Sequence, residues 1–157
     1  MTSTTTPEPI RKSLRVGVAP RRAFEVFTAG MHRWWPVENT LLASPRTAIV
    51  VEPHEGGRWF ERGADGTECD WGRVLAWEPP TRILLAWQID ARWRFDPGFV
   101  TELEVRFVPD GTDGTRVELT HRNLERFGEQ AGALRAALDS GWGKGLEAFA
   151  AAASAGA

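Results

Sequence analysis

Three histidines, one cysteine and a scatter of carboxylates are the side chains of this 157-residue chain able to do chemistry near neutral pH. His121 closes an alternating run from Thr115 to Arg122. Val117, Leu119 and His121 share one face of it, and Arg116, Glu118 and Thr120 the other. The imidazole therefore points inward, where it can hydrogen-bond a ligand or trade a proton. The plainer alternative is a half-buried ring satisfied by a neighbouring carbonyl or carboxylate, and for the histidine taken alone it weighs more. His32 and His54 fall at a helix end and in a turn, exposed positions. His32, His54, His121 and Cys69 show neither C-x-x-C nor H-x-x-x-H spacing, so neither a metal nor a cofactor is expected. Cys69 stands beside Asp70, whose charge raises a thiol pKa, and no serine sits in a nucleophile-elbow motif, so covalent catalysis has no carrier. Arg58, Glu61, Asp70 and Arg73 lie on predicted strands beside aromatics. Any that point inward would orient a polar ligand group, but cross-strand ion pairs on the outer face are expected for most.

Eight tryptophans and no tyrosine are the stronger signal. Five of them fall between Trp59 and Trp93. Each offers a broad apolar face and one N–H donor. Singly, each reads as core filling; together, on consecutive strands, they read as the wall of an apolar pocket.

The elements that must position these rings follow from periodicity. Ile10 to Val18 alternates, with Ile10, Leu14, Val16 and Val18 on one face and Lys12 as the exception, a first strand. Pro20 opens a short helix to about Thr28, ended by Gly30. A helical turn with Met31, Trp34 and Trp35 stops at Pro36. Strands are predicted over 48–52, 58–62, 68–77 and 82–88, with the Asp65-Gly66 hairpin signal between the second and third of these and Pro79-Pro80 before the last. Residues 89–98 are ambiguous. Val100 to Val108 and Thr115 to Arg122 alternate as half-buried antiparallel strands do. From about Glu129 the period turns helical: Leu134, Leu138, Trp142, Leu146 and Phe149 form one apolar stripe to about Ala153, with a distortion expected around Gly141, Gly143 and Gly145. One sheet cannot bury its own concave face, so this helix must lie across it.

Composition is that of a globular domain, 42% hydrophobic and 25% charged, with a net charge of -2. Scattered Lys and Arg argue against nucleic acid as a partner. One thiol cannot form an internal disulfide, the N-terminus lacks an apolar signal core, and no apolar run approaches the ~20 residues of a membrane span. A cytoplasmic location is the expectation. Residues 1–9 read as a loose tail and 10–153 as one domain.

Several motifs in order carry a family resemblance: Val18-Ala19-Pro20 with Ala23-Phe24-Phe27, Trp34-Trp35-Pro36, Gly56-Gly57-Arg58-Trp59, and Trp71-Gly72-Arg73-Val74. Pro79-Pro80, Leu84-Leu85-Ala86-Trp87, Thr101-Glu102-Leu103, Val117 to His121 and Gly141-Trp142 complete the set. With them the chain resembles the START-like helix-grip superfamily (SRPBCC), in the bacterial branch similar to the C-terminal domain of the heat-shock protein 90 ATPase activator. The resemblance implies an α+β fold like that of the birch-pollen allergen. A curved antiparallel sheet of about six to seven strands, two short helices after the first strand and a long C-terminal helix across the sheet are its parts. The superfamily includes lipid and hormone carriers, polyketide cyclases and co-chaperone domains. The eukaryotic activator's separate chaperone-contacting domain has no counterpart before Ile10, which argues against chaperone activation and leaves a chaperone contact as the lesser of the partners the resemblance implies.

The expected function is therefore non-catalytic binding of a hydrophobic or aromatic small molecule between sheet and helix. Trp35, Trp59, Trp71, Leu85 and Trp87 are the expected wall on one side. Leu103, Val105, Leu119, His121 and Trp142 complete it, His121 giving orientation. A cyclase- or dehydratase-like enzyme in the same cavity, and a protein-interaction domain with an exposed apolar patch, are the alternatives. The chain is expected as a monomer or homodimer.

Overall fold

A computed structural model describes residues 7–155. Seven strands form one antiparallel sheet: β1 (Ile10–Val16), β2 (Arg46–Val51), β3 (Arg58–Gly63), β4 (Glu68–Glu78), β5 (Arg82–Trp87), β6 (Thr101–Asp110) and β7 (Gly114–Arg122). Their spatial order is β1-β7-β6-β5-β4-β3-β2. Helices α1 (Pro20–Thr28) and α2 (Met31–Trp34) follow β1, and α3 (Ala131–Ala155) closes the described chain. The predicted strands agree with these to within two residues. Most of the tail expected over 1–9 lies outside the described residues. Within 7–9, the Glu8 and Pro9 carbonyls accept from the Arg135 guanidinium at 2.7 and 3.4 Å.

The alternation on β6 and β7 fits their place as neighbouring interior strands, second and third from the β1 edge. Leu103, Val105, Phe107, Val117 and Leu119 are all buried. The outward Glu102, Glu104, Arg106 and Arg122 pair with one another or with Arg82 across the strands. Arg82 and Glu104 are mostly shielded, whereas the more exposed pair of Arg122 with Glu102 contributes little. Lys12, the exception on β1, sits on the inner face at the sheet edge, where its Nζ meets Asp139 of α3 at 2.9 Å. A long side chain can bury its stem and keep its charge at the rim, so this position ties β1 to the helix.

Helix α3 lays Leu134, Leu138, Trp142, Leu146 and Phe149 on the sheet and on α1 and α2. Phe149 is fully buried between Phe27 and Trp34, at ring distances of 5.5 and 5.6 Å. The distortion expected at its three glycines is absent; the helix is continuous. Its start is later than predicted, because Leu124–Gln130 forms a 3-10 segment first.

Register shifts bend the strands that carry the tryptophans. Trp59 pairs with Gly72 and Phe60 with Asp70, so Trp71 is the extra residue of a bulge between β3 and β4. A second shift lies between Val74 and Ala76 on β4. Bulges kink a strand and re-aim its side chains. At the first bulge the backbone of β5 comes close: a Cβ on Gly72 would lie 1.7 Å from the Ala86 carbonyl oxygen. Only glycine fits there.

Candidate functional site

Between α3, the bent part of the sheet and the loop after α2 lies a cavity of about 490 Å³. That volume falls in the usual range for small-molecule sites, about 300–1,000 Å³. Trp35, Trp71, Trp87 and Trp142 wall it, Leu138 and Ile89 add aliphatic surface, and Gly141 and Gly145 expose the backbone of α3. Glu38, Asn39 and Thr40 line the loop side, and Trp93 stands at the mouth.

The indoles form one connected cluster. Trp35 lies 5.0 Å from Trp71 on the sheet and 5.4 Å from Trp142 on the helix, so it bridges the two layers. Trp87 meets Trp142 at 6.0 Å and Trp59 at 5.9 Å. The four wall indoles all spend their N–H groups inside the protein. Trp35 donates to the Asn39 carbonyl, Trp71 to Glu61 Oε2, Trp87 to the Ile89 carbonyl and Trp142 to His121 Nδ1. What they present to the cavity is ring surface rather than donors.

Of the residues anticipated from sequence, Trp35, Trp71, Trp87 and Trp142 line the cavity. Trp59, Leu85, Leu103, Val105 and Leu119 lie deeper, fully buried in the core beneath it. Trp59 donates its N–H to Met31 Sδ at 3.3 Å. Trp34 is also core, donating to the Val26 carbonyl. His121 is fully buried and points inward, but behind Trp142 and outside the cavity lining. Because Trp142 donates to Nδ1 at 3.2 Å, the ring's proton belongs on Nε2, which lies 2.8 Å from Thr101 Oγ1. Thr101 can then donate onward to the Trp87 carbonyl at 3.5 Å. Burial pushes the His121 pKa down to about 3. It is a neutral imidazole that fixes two wall tryptophans, not a proton donor to a bound molecule. His32 and His54 are exposed. Burial first, then the Glu61 and Asp70 charges, raises the Cys69 thiol, keeping it unreactive.

Glu61 is the polar residue whose place was missed. Arg58, Glu68 and Asp70 do form outer-face ion pairs, with Arg58 also stacked 3.9 Å over Phe60. Glu61, one residue on, faces inward and is fully buried. It accepts from Leu41 N at 2.8 Å, Trp71 Nε1 at 2.7 Å and the Thr40 hydroxyl. Three donors make a buried carboxylate tenable. Strict alternation with Trp59 on β3 was the available signal. Arg46 completes the clamp from β2, donating to the carbonyls of Trp35, Pro36 and Asn39 at 2.8–3.2 Å. One anion takes the loop's N–H and O–H groups and one cation its carbonyls, so the loop over residues 35–41 is held against the sheet without regular structure. Burial pulls the Arg46 guanidinium below its usual pKa, against Glu61 and Glu38.

The mouth has its own construction. Ile89 and Phe95 bridge across the segment that sequence left ambiguous. Asp90 Oδ1 accepts from the backbone of Arg92 and Arg94 at 2.9 and 3.1 Å. Trp93 between them is left-handed, with φ +60°, and 45% exposed. Val37, 81% exposed, is the other large exposed apolar side chain among the described residues. Also among the described residues, no group of three or more His, Cys, Asp or Glu is placed to hold a metal ion, and no helix is long and apolar enough to cross a membrane.

A curled antiparallel sheet gripping a long C-terminal helix over an internal cavity is the helix-grip architecture of the START-like (SRPBCC) superfamily. Within it, residues 18–154 match the family described as activator of Hsp90 ATPase homolog 1-like protein, and the chain belongs to that family. Among solved structures it is similar to the anthrahydroquino-γ-pyrone synthase Txn09, solved in complex with SUM. The two are 41% identical over 94% of this chain and 97% of that one, with a TM-score of 0.67. It is also similar to CalC from Micromonospora echinospora, described as a self-sacrificing resistance protein, at 28% identity over 92% and 93% of the two chains and a TM-score of 0.71. CalU16 from the same organism, at 21% identity over 93% and 76% and a TM-score of 0.61, shares the fold. No curated protein sequence matches the chain.

Proposed function

We propose that this chain binds a flat, largely apolar aromatic molecule in the tryptophan-walled cavity. The observation that carries the reading is the make-up of the wall: Trp35, Trp71, Trp87 and Trp142 line the cavity and bond their N–H groups to protein acceptors, leaving ring surface for an occupant. Such a surface holds ring systems by dispersion and apolar burial, with Glu38, Asn39 and Thr40 available to a polar edge. A tricyclic ligand of roughly 20 non-hydrogen atoms, at about 0.3 kcal/mol each, gains about 6 kcal/mol, a Kd in the tens of micromolar. Titration of 1,8-dihydroxyanthraquinone should quench tryptophan fluorescence with a Kd in that range and raise the melting temperature, while palmitate should do neither. No response to the anthraquinone at about 200 μM, several times the expected Kd, rejects the reading.

Ring-closing catalysis in the same cavity is the second reading, favoured by 41% identity to a protein described as a synthase. It does not run through His121, which is buried behind Trp142 and outside the lining. Its acid–base groups would be Glu38 at the rim and the Thr40 hydroxyl, which is backed by Glu61.

A further inference from the structure

We infer that the cavity selects ligands by thickness, that Gly141 is the residue setting the limit, and that Trp93 is the cover. The inference rests on the aromatic-ligand reading and adds the specificity device.

Gly141 lies in the middle of a continuous helix, where glycine is disfavoured, and it lines the cavity. Packing does not demand it: a Cβ at this position would meet no atom within 4 Å. The space a side chain would take is cavity space. Ala137 and Gly145, one turn away on either side, also line it, so a ring system can lie directly on the helix backbone. Trp35 and Trp71, 5.0 Å apart, add aromatic wall to the same cavity. A larger side chain at 141 would grow into this space and take it from an occupant, so the bare backbone is what leaves room for a ring system.

Trp93 is an independent sign at the same cavity. A bulky residue rarely adopts φ +60°, yet here the Asp90 carboxylate holds the turn on both sides of it. The indole is not repaid by burial in the core; it is 45% exposed at the mouth. Held there, it covers the outer edge of an occupant.

The test uses 1,8-dihydroxyanthraquinone with Gly141→Ala, Gly141→Leu, Trp93→Ala and, as a control, Gly143→Ala. Gly143 is on the same helix, a Cβ there would lie 3.8 Å from its nearest neighbour, Lys12 Nζ, and it lies outside the cavity lining. Both alanine variants in the helix should melt about 2–4 °C higher than the parent. Gly141→Leu should bind the probe about tenfold or more weaker without melting lower, Trp93→Ala about fivefold weaker, and Gly143→Ala as tightly as the parent. Parent-like binding by Gly141→Leu overturns the thickness limit alone, as does equal weakening by Gly143→Ala. Parent-like binding by Trp93→Ala overturns the cover. A parent protein that fails to bind the probe overturns the aromatic-ligand reading and this inference with it.

Discussion

Replacing His121 with glutamine isolates what the buried imidazole does to stability. The ring accepts from Trp142 through Nδ1 and meets Thr101 through Nε2, and burial lowers its pKa from 6.5 to about 3. Between those values the unfolded chain binds a proton that the folded protein refuses. Stability from this group is therefore fully present above pH 6.5 and falls as the pH drops, by about 1.4 kcal/mol per pH unit, toward roughly 5 kcal/mol lost near pH 3. The geometry supplies the reason. A proton on Nδ1 would face the Trp142 N–H, donor against donor, at a fully buried site. Glutamine offers one acceptor and one donor and does not titrate. Urea unfolding followed by tryptophan fluorescence at pH 7, 6 and 5 compares the two proteins, and the carboxylates common to both cancel in the difference. From pH 7 to pH 5 the parent should lose about 2 kcal/mol more than His121→Gln. A gap between the two proteins that stays constant over that range would refute the neutral, doubly bonded imidazole.

Substitutions at two further positions test the elements that shape the cavity. Glu61→Leu leaves the Leu41 and Trp71 N–H donors buried without an acceptor and should destabilise by about 2–5 kcal/mol, whereas Glu61→Gln can turn its carbonyl to those donors and should cost less than half as much, both read by chemical denaturation. Gly72→Ala drives a Cβ into the Ala86 carbonyl at the bulge and should cost more than about 3 kcal/mol or abolish folding, visible in the yield and melting temperature of the purified variant.

Much of the scaffold was legible because periodicity is a one-dimensional record of burial. The alternation on β6 and β7 announced a half-buried sheet, and the three- and four-residue spacing of Leu134 through Phe149 announced the helix that covers it. The site was legible in part. Trp35, Trp71, Trp87 and Trp142 could be named from sequence, since large rings on inward positions near a sheet–helix gap have few other places to go. Trp59 could not be separated from them: both Trp59 and Trp71 are buried on adjacent strands, and the one-residue bulge that turns Trp71 toward the cavity is a property of strand pairing. His121 read correctly as inward, yet periodicity has no depth. That Trp142 of α3 caps it and takes the place on the cavity wall is a property of how α3 packs on the sheet.

Sequence alone determined the order of elements, the apolar face of each and the concentration of indoles on a few neighbouring strands, because these depend on contacts between residues near in the chain or on a period along it. Tertiary structure decided which faces border empty space and which border protein. It placed Glu61 under a loop twenty residues away, joined Asp90 and Trp93 into a rim, and left Gly141 facing a void. Each of these depends on the distance between elements far apart in sequence, and that distance is set by the packing of the whole core rather than by any local preference.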